Sequence, residues 1–149
     1  MQCTEPAGKL LVNAEYTKAV KRFRRWGATG RGRRSDCMYQ VKIDTSTLGW
    51  SPLDFPGVSM KVLRRVESTG GMTVMTRIAP GSSIPAHRHT HADETVFVVE
   101  GDFVEDGINY GPGSFFVGLA GSSHGPHRSS GGCVLLTTFS ATLDFILVE

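Results

Sequence analysis

Hydrophobic and polar residues alternate with a period of two along much of the chain after residue 37. Short segments rich in Val, Ile, Thr and aromatic residues, separated by Gly and Pro, are typical of β-strands. We predict strands in the segments MYQVKID (38–44), VSMKVLR (58–64), MTVMTRIA (72–79), ETVFVVEG (94–101), DFVEDGINYG (102–111), SFFVG (114–118), CVLLTTFS (133–140) and LDFILVE (143–149). The pair Asp106–Gly107 predicts a tight hairpin within the fifth segment.

This number of short strands, with no helical period after residue 37, indicates an all-β sandwich or barrel. The 149 residues are about the length of one domain. We therefore predict a β domain at residues 37–149, preceded by an N-terminal extension at residues 1–36.

The N-terminal extension is basic. Residues 1–36 carry nine Lys or Arg against three Asp or Glu, whereas residues 37–149 carry seven against eleven. The basic run at residues 18–34 is compatible with a nucleic-acid-binding arm or with a solvated tail. It is also compatible with a short helix whose apolar face is Tyr16, Val20, Phe23 and Trp26. We favour the tail or helix and expect no nucleic-acid partner, because no recognised nucleic-acid-binding motif accompanies the run.

Targeting signals and cysteine motifs are missing from the sequence. No apolar run approaches the roughly 20 residues of a membrane span, and the N-terminus lacks the apolar core of a signal peptide. Cys3, Cys37 and Cys133 form no C-x-x-C pair, so neither a disulfide framework nor a cysteine zinc site is indicated. We expect a cytoplasmic protein with no membrane partner, and a buried Cys133.

All five histidines lie between His87 and His127. Side chains on a strand alternate between faces, so His87 and His89 point the same way, about 6–7 Å apart. Glu94 begins the next strand and returns to the same interior if the chain reverses through THAD (90–93). His124 comes from a later strand or loop. Three imidazoles and a carboxylate form a ligand set for Zn, Fe, Mn, Ni or Cu, with coordination positions left for substrate or oxygen.

The other two histidines have alternative interpretations. His91 continues the alternation and would replace His87 in a shifted pairing, but we predict a loop position near the mouth of the site. His127 follows Pro126, and we expect it to hydrogen-bond locally, while it remains a candidate acid or base.

The apolar residues around Glu94 leave one question open. Val96 and Val98 share the face of Glu94 by alternation. Phe97, Phe115 and Phe116 are compatible with the wall of an apolar pocket or with ordinary core packing.

The spacing around the first histidines resembles the first sequence motif of the cupin superfamily. Five residues separate Gly81 from His87-x-His89, four residues lead to Glu94, and six more lead to Gly101.

A second cupin motif is similar to the segment from Gly113 through Leu119-x-Gly121 to His124. This segment departs from the motif at Leu119, where proline is usual, and at Arg128, where asparagine is usual. Neither departure replaces a metal ligand.

The resemblance implies a cupin double-stranded β-helix, or jelly-roll barrel, with a metal site of His87, His89, Glu94 and His124. About two thirds of the chain resembles small non-haem iron dioxygenases that cleave β-diketones or hydroxyacetophenones, and the zinc-binding cupin domain of an anti-sigma factor. The dioxygenases commonly use three histidines, so Glu94 either binds the metal or orients His124. The implied cofactor is Fe(II), with Zn, Mn or Ni as alternatives, and the implied partners are a small apolar keto or enol substrate and O₂.

Two other functions are compatible with a cupin. One is a zinc- or ligand-binding sensor without turnover, although the extension lacks the Cys and His ligands of an anti-sigma zinc site. The other is a sugar isomerase or sugar-binding cupin, which the apolar segments TVFVVEG and SFFVGLAG disfavour. We also expect a homodimer, because jelly rolls leave edge strands that a second subunit covers, with MYQVKID a candidate for exchange.

Overall fold

The structure is a computed structural model of the chain, and it describes residues 39–148. Apart from a 3₁₀ turn at Thr45–Thr47, its regular structure is β. The strands are β1 (Ser51–Pro52), β2 (Val58–Arg65), β3 (Gly70–Ile78), β4 (Ser83–Ile84), β5 (His87–Arg88), β6 (Glu94–Gly101), β7 (Phe103–Glu105), β8 (Ile108–Tyr110), β9 (Phe115–Gly118), β10 (Ser123–His124), β11 (His127–Arg128), β12 (Cys133–Ala141) and β13 (Ile146–Leu147).

The strands form three sheets in which neighbours are antiparallel. The largest sheet has the order β1-β2-β3-β12-β6-β9. Two smaller sheets have the orders β10-β5-β13 and β4-β11-β7-β8. This arrangement confirms the all-β prediction. Within the described residues, no helix is long and apolar enough to cross a membrane.

The long predicted strands are confirmed, and two predictions at the ends of the domain are wrong. Residues 39–44 form no strand, and their apolar side chains Tyr39, Val41 and Ile43 are exposed. A strand needs a hydrogen-bonding neighbour, and the short β1 already pairs with this edge of β2. Only Ile146–Leu147 of the last predicted segment is a strand. The predicted extension at residues 1–36, including its helix, lies outside the described residues.

The main hydrophobic core lies between the six-stranded and four-stranded sheets. Ile84 of β4 and Phe103 of β7 pack against side chains of the large sheet. Those side chains come from β2, β3, β6 and β12: Val58, Ile78, Val96, Val98, Cys133 and Leu135. The predicted burial of Cys133 is confirmed. A second cluster around Met72 and Phe139 continues the core along the same sheet.

The opposite face of the large sheet exposes apolar side chains on β6, β9 and β12. Phe97 pairs in register with Phe115 on one side and with Leu136 on the other. Phe115 is 62% exposed and Phe97 is 41% exposed. Both phenylalanines therefore point away from the core, and both interpretations from the sequence, pocket wall and core, are wrong for them. Phe116 follows Phe115 on β9, so its side chain lies on the other face of the sheet, where it packs against the core.

Two turns depend on backbone conformations that glycine favours. Asp106 and Gly107 have φ angles of 51° and 74°, which confirms the predicted tight hairpin between β7 and β8. Gly101, the last residue of the first motif, has a φ of 84°, and a Cβ there would lie 1.9 Å from the carbonyl oxygen of Gly132. A side chain at Gly101 would thus separate β6 from the start of β12.

Candidate metal centre

Four polar side chains meet inside the fold. They come from β5 and the residue after it (His87, His89), the start of β6 (Glu94) and the end of β10 (His124). One nitrogen or oxygen atom from each lies within 4.8 Å of the others. These are the four residues that the sequence analysis expects at the metal site, and the structure brings them together. No described residue outside this group adds a fifth member.

Short strands place these side chains. β5 pairs with β10 so that His87 lies opposite His124. The chain then reverses through residues 90–93, as expected, and three hydrogen bonds to side-chain acceptors help to hold the reversal. The amide of Thr90 donates to Asp144 Oδ1, the amide of Asp93 donates to Ser140 Oγ, and Asp93 Oδ1 accepts from the amide of Ala120.

The separations between donor atoms suit one bound ion. Nε2 of His124 lies 3.0 Å from Nε2 of His87 and 3.0 Å from Oε2 of Glu94. Nε2 of His89 lies 3.3 Å from the same carboxylate oxygen. Ligand atoms held about 2.0–2.2 Å from one metal ion are roughly 3.0–3.5 Å apart in octahedral or tetrahedral geometry. The four side chains therefore fit a metal ion.

Backbone carbonyls orient two of the imidazoles. Nδ1 of His87 donates to the carbonyl oxygen of Pro85 at 2.8 Å, and Nδ1 of His89 donates to the carbonyl oxygen of Asp144. With Nδ1 engaged, Nε2 is the atom that each ring presents to the cluster. Nε2 of His89 is buried and makes no hydrogen bond, despite its proximity to Glu94. A bound cation would give this atom a partner, which buried polar atoms normally have.

The electrostatics of the cluster separate the charged groups from the neutral ones. Burial lowers the pKa of His87 to about 3, although the Pro85 carbonyl acts in the opposite direction. Burial acts to raise the pKa of Glu94, but the rings of His124 and His89 beside its carboxylate lower that pKa overall. Burial acts to lower the pKa of His89, yet the Glu94 carboxylate and the Asp144 carbonyl raise it overall. The site thus holds an ionised carboxylate beside a neutral His87, both of which are forms that bind metals.

A cavity of about 710 Å³ adjoins the cluster. His87, His89 and Glu94 line part of it, and its other walls are largely apolar. The aromatic wall residues, apart from the histidines, are Trp50, Phe55, Phe103, Phe139 and Phe145. The ring of Phe145 stacks on His87 with centroids 4.0 Å apart. A cavity of this size and polarity is suited to a small ligand.

The other two histidines differ from each other. His91 is exposed at a bend and lies outside the cluster. His127 on β11 is buried and lines the cavity. The local hydrogen bond expected for His127 is wrong, since its partner is Glu105 on β7, 22 residues away.

Sequence reasoning missed two residues that support the site. Asp144 orients His89 through its backbone carbonyl, which no side-chain pattern reveals. The inward position of Glu105 could have been predicted from the sequence. It lies two residues after the buried Phe103 on β7, so strand alternation places both side chains on the same face.

A model of the ChrR cupin-like domain family matches residues 38–142. Among curated proteins, none matches the chain in sequence.

Solved structures with the same architecture are only distantly similar in sequence. KdgF from Halomonas sp. is 22% identical, with a TM-score of 0.57 over 68% of this chain and 92% of that one. An acetylacetone dioxygenase from Acinetobacter johnsonii is 19% identical, with a TM-score of 0.57 over 74% of this chain and 79% of that one. An RmlC-like cupin from Shewanella frigidimarina is 21% identical, with a TM-score of 0.57 over 68% of this chain and 89% of that one. These likenesses confirm the cupin double-stranded β-helix.

Proposed function

We propose that this chain, which belongs to the ChrR cupin-like domain family, is a metal-dependent dioxygenase that cleaves a carbon–carbon bond of a small keto or enol compound. The observation that carries the proposal is the convergence of three histidines and a glutamate at the wall of an apolar cavity of about 710 Å³. The likeness to an acetylacetone dioxygenase supports this choice of reaction.

The metal ligands in this proposal are His87, His89, Glu94 and His124. Ferrous iron is the preferred ion, with zinc, manganese or nickel as alternatives, because imidazole and carboxylate ligands suit all of them. When bound, iron would supply the redox chemistry that a ketone and O₂ need to react.

The protein contributes orientation, charge and a largely apolar cavity. The carbonyl groups of Pro85 and Asp144 hold His87 and His89 with Nε2 towards the centre. The ionised Glu94 offsets part of the positive charge of a divalent ion. The apolar part of the cavity wall suits a small apolar substrate.

Oxygen consumption tests this function. Protein reconstituted anaerobically with Fe(II) is mixed with O₂-saturated buffer and either acetylacetone or 2,4′-dihydroxyacetophenone, and O₂ uptake and carboxylate products are measured. We expect uptake in proportion to cleaved substrate. His89→Ala and zinc-loaded wild-type protein are the controls, and both should show none. Iron bound at full occupancy without uptake for either substrate class would contradict the dioxygenase proposal.

A second candidate is a zinc- or ligand-binding sensor without turnover. The similarity to the zinc-binding cupin domain of an anti-sigma factor, and the match to the ChrR cupin-like family, favour it. A sensor binds its ligand stoichiometrically and returns it unchanged. Calorimetric binding by zinc-loaded protein, together with unchanged ligand after incubation of the iron-loaded protein in air, would support this candidate.

We also propose that the chain is a homodimer. The exposed apolar side chains of Phe97, Phe115 and Val117 lie next to the unpaired edge of β9. An apolar face beside an edge strand is a surface that proteins commonly cover by association.

A further inference from the structure

His127 lines the cavity and has one ring nitrogen without a hydrogen-bond partner among the described residues. Its side chain is 9% exposed. Its Nδ1 atom is engaged by Oε2 of Glu105, whereas its Nε2 atom is buried and has no hydrogen-bond partner among the described residues. His127 also lines the large cavity. A buried, unsatisfied nitrogen costs free energy unless something inside the cavity pairs with it.

Glu105 determines which nitrogen of His127 carries the proton. Its Oε1 atom accepts a hydrogen bond from the amide of Gly125 at 2.8 Å, and its Oε2 atom faces Nδ1 of His127. Burial acts to raise the pKa of Glu105, but the hydrogen bond with His127 lowers it overall. An ionised carboxylate only accepts hydrogen bonds. Nδ1 of His127 therefore donates to Glu105, and in the tautomer so fixed it is Nε2 that carries the lone pair.

We propose that His127, held in this tautomer by Glu105, is a ligand-binding residue whose Nε2 accepts a hydrogen bond from the O–H group of a ligand beside the metal cluster. The inference rests on the proposed function for the class of ligand. It adds that the ligand is hydroxylated or enolised, rather than a ketone without an O–H group.

The position of His127 separates this role from that of a metal ligand. Its ring centroid lies 5.3 Å from those of His87 and His124, so it is a neighbour of the cluster. It is nevertheless absent from the group of four whose ligand atoms lie within 4.8 Å of one another. The ring of Phe103, 5.1 Å away, fixes another side of His127. The ring is therefore held rigidly, next to the place where a ligand would meet the metal.

Much of the remaining cavity wall offers no hydrogen-bond acceptor, although the hydroxyl residues Thr76 and Thr137 also line it. Leu53, Val96 and Leu135 contribute side chains that form no hydrogen bonds. In such surroundings, a ligand O–H that finds no acceptor loses its hydrogen bond to water without replacement. A ligand whose O–H reaches Nε2 avoids that loss.

Nitrogen NMR tests the tautomer without any ligand. In zinc-loaded wild-type protein, long-range ¹H–¹⁵N spectra should show His127 protonated at Nδ1. In Glu105→Gln, the amide oxygen should remain on the Gly125 amide, so the side-chain NH₂ faces Nδ1. The proton of His127 should then move to Nε2. Wild-type protein with His127 protonated at Nε2 would overturn the inference, whatever the variants do.

Matched probes test the contact itself. Acetylacetone has an enol O–H, whereas 3,3-dimethylpentane-2,4-dione cannot enolise between its carbonyls. The affinities of both for zinc-loaded wild-type, His127→Phe and His127→Leu proteins are measured by calorimetry. We expect the ratio of the affinities for acetylacetone and for the dimethyl analogue to fall by about three- to tenfold in both variants. A change of this size corresponds to the free energy of one hydrogen bond. Zinc content should stay at the wild-type level.

The outcomes separate this inference from the proposed function. An unchanged preference in both variants, or no binding of either probe to wild-type protein, would overturn the role of His127. Loss of zinc in both variants would also overturn it, because His127 would then be a metal ligand. None of these results depends on oxygen uptake, so the oxygen-uptake assay tests the dioxygenase proposal independently.

Discussion

Glu94 gives the cluster its negative charge, and its role decides between two arrangements of the site. Its Oε2 atom lies within 3.3 Å of both His89 and His124. We expect Glu94→Gln to weaken binding of a divalent ion by at least about 10- to 100-fold, because the amide is a neutral and poorer ligand. Competition titration with a chelating dye measures this change for zinc and ferrous iron.

Glu100→Gln is the matched control for that measurement. Glu100 lies near the end of the same strand, is exposed and is outside the cluster. Its substitution should leave metal affinity unchanged. If Glu94→Gln also binds with wild-type affinity, Glu94 serves only to orient His124.

The sequence predicted the four members of the cluster because strand geometry and motif spacing place them. Alternation puts His87 and His89 on one face, and the reversal at residues 90–93 returns Glu94 to it. The partner of His127 was not predictable from local spacing, because Glu105 reaches it from another strand of the sheet. The contribution of Asp144 was hidden for a different reason. Any residue type supplies a backbone carbonyl.

Among the elements, the loop that precedes β12 is tied to the β6–β7 junction by Asp102. Its carboxylate accepts hydrogen bonds from Ser129 Oγ and from the amides of Ser130 and Gly131. The Ser130 amide, then the Gly131 amide and Ser129, lower the pKa of Asp102. Since the ionised form is favoured in the folded state, its contribution to stability is present above the unfolded pKa of 3.8.

We therefore expect Asp102→Asn to lower the melting temperature at pH 7, because one acceptor oxygen is replaced by a donor. The difference from wild type should shrink as the pH falls below about 4, because Asp102 of the unfolded chain binds a proton there while the lowered pKa of the folded protein keeps its carboxylate ionised to a lower pH. Thermal unfolding at pH 7 and pH 3.5 measures both differences. A difference that stays constant between these pH values would show that the charge of Asp102 does not stabilise the loop.

The central strands carry the core, and Ile78 at the end of β3 is fully buried within it. We expect Ile78→Ala to reduce the free energy of unfolding by about 2–5 kcal/mol, because it removes buried methyl groups and leaves a cavity. Ile108→Ala, at an exposed position of β8 away from the proposed dimer surface, is the control, with a change within about 0.5 kcal/mol. Urea unfolding measures both, and equal effects would contradict the assignment of Ile78 to the core.

At the level of strands, the length of each strand and its residue types determined whether it could be predicted from the sequence. β2, β3, β6 and β12 are long and β-branched, and all four were predicted. The two-residue strands β4, β5, β10 and β11 are too short for any periodic signal, and they exist because tertiary pairing holds them. The outward direction of Phe97 was implicit in the pattern, because it alternates with Val96 and Val98, which share the face of Glu94.

At the scale of the whole molecule, the exposed apolar face of the large sheet leads to a prediction about assembly. We expect a dimer at micromolar concentration by light scattering coupled to size-exclusion chromatography. Phe115→Glu should shift it to monomer, because a charge on this face cannot be buried without a partner. Ser68→Glu, exposed in the turn between β2 and β3, should remain dimeric. A monomeric wild-type protein would contradict the proposed homodimer.

Metal content tests most directly whether one divalent ion is held by His87, His89, Glu94 and His124. The measurement is elemental analysis of untagged protein purified anaerobically, beside His89→Ala prepared in the same way. We expect about one ion per chain in wild-type protein and less than about a tenth of that in the variant. If neither protein retains a metal, even after reconstitution with ferrous iron or zinc, the chain has the cupin fold without the metal site.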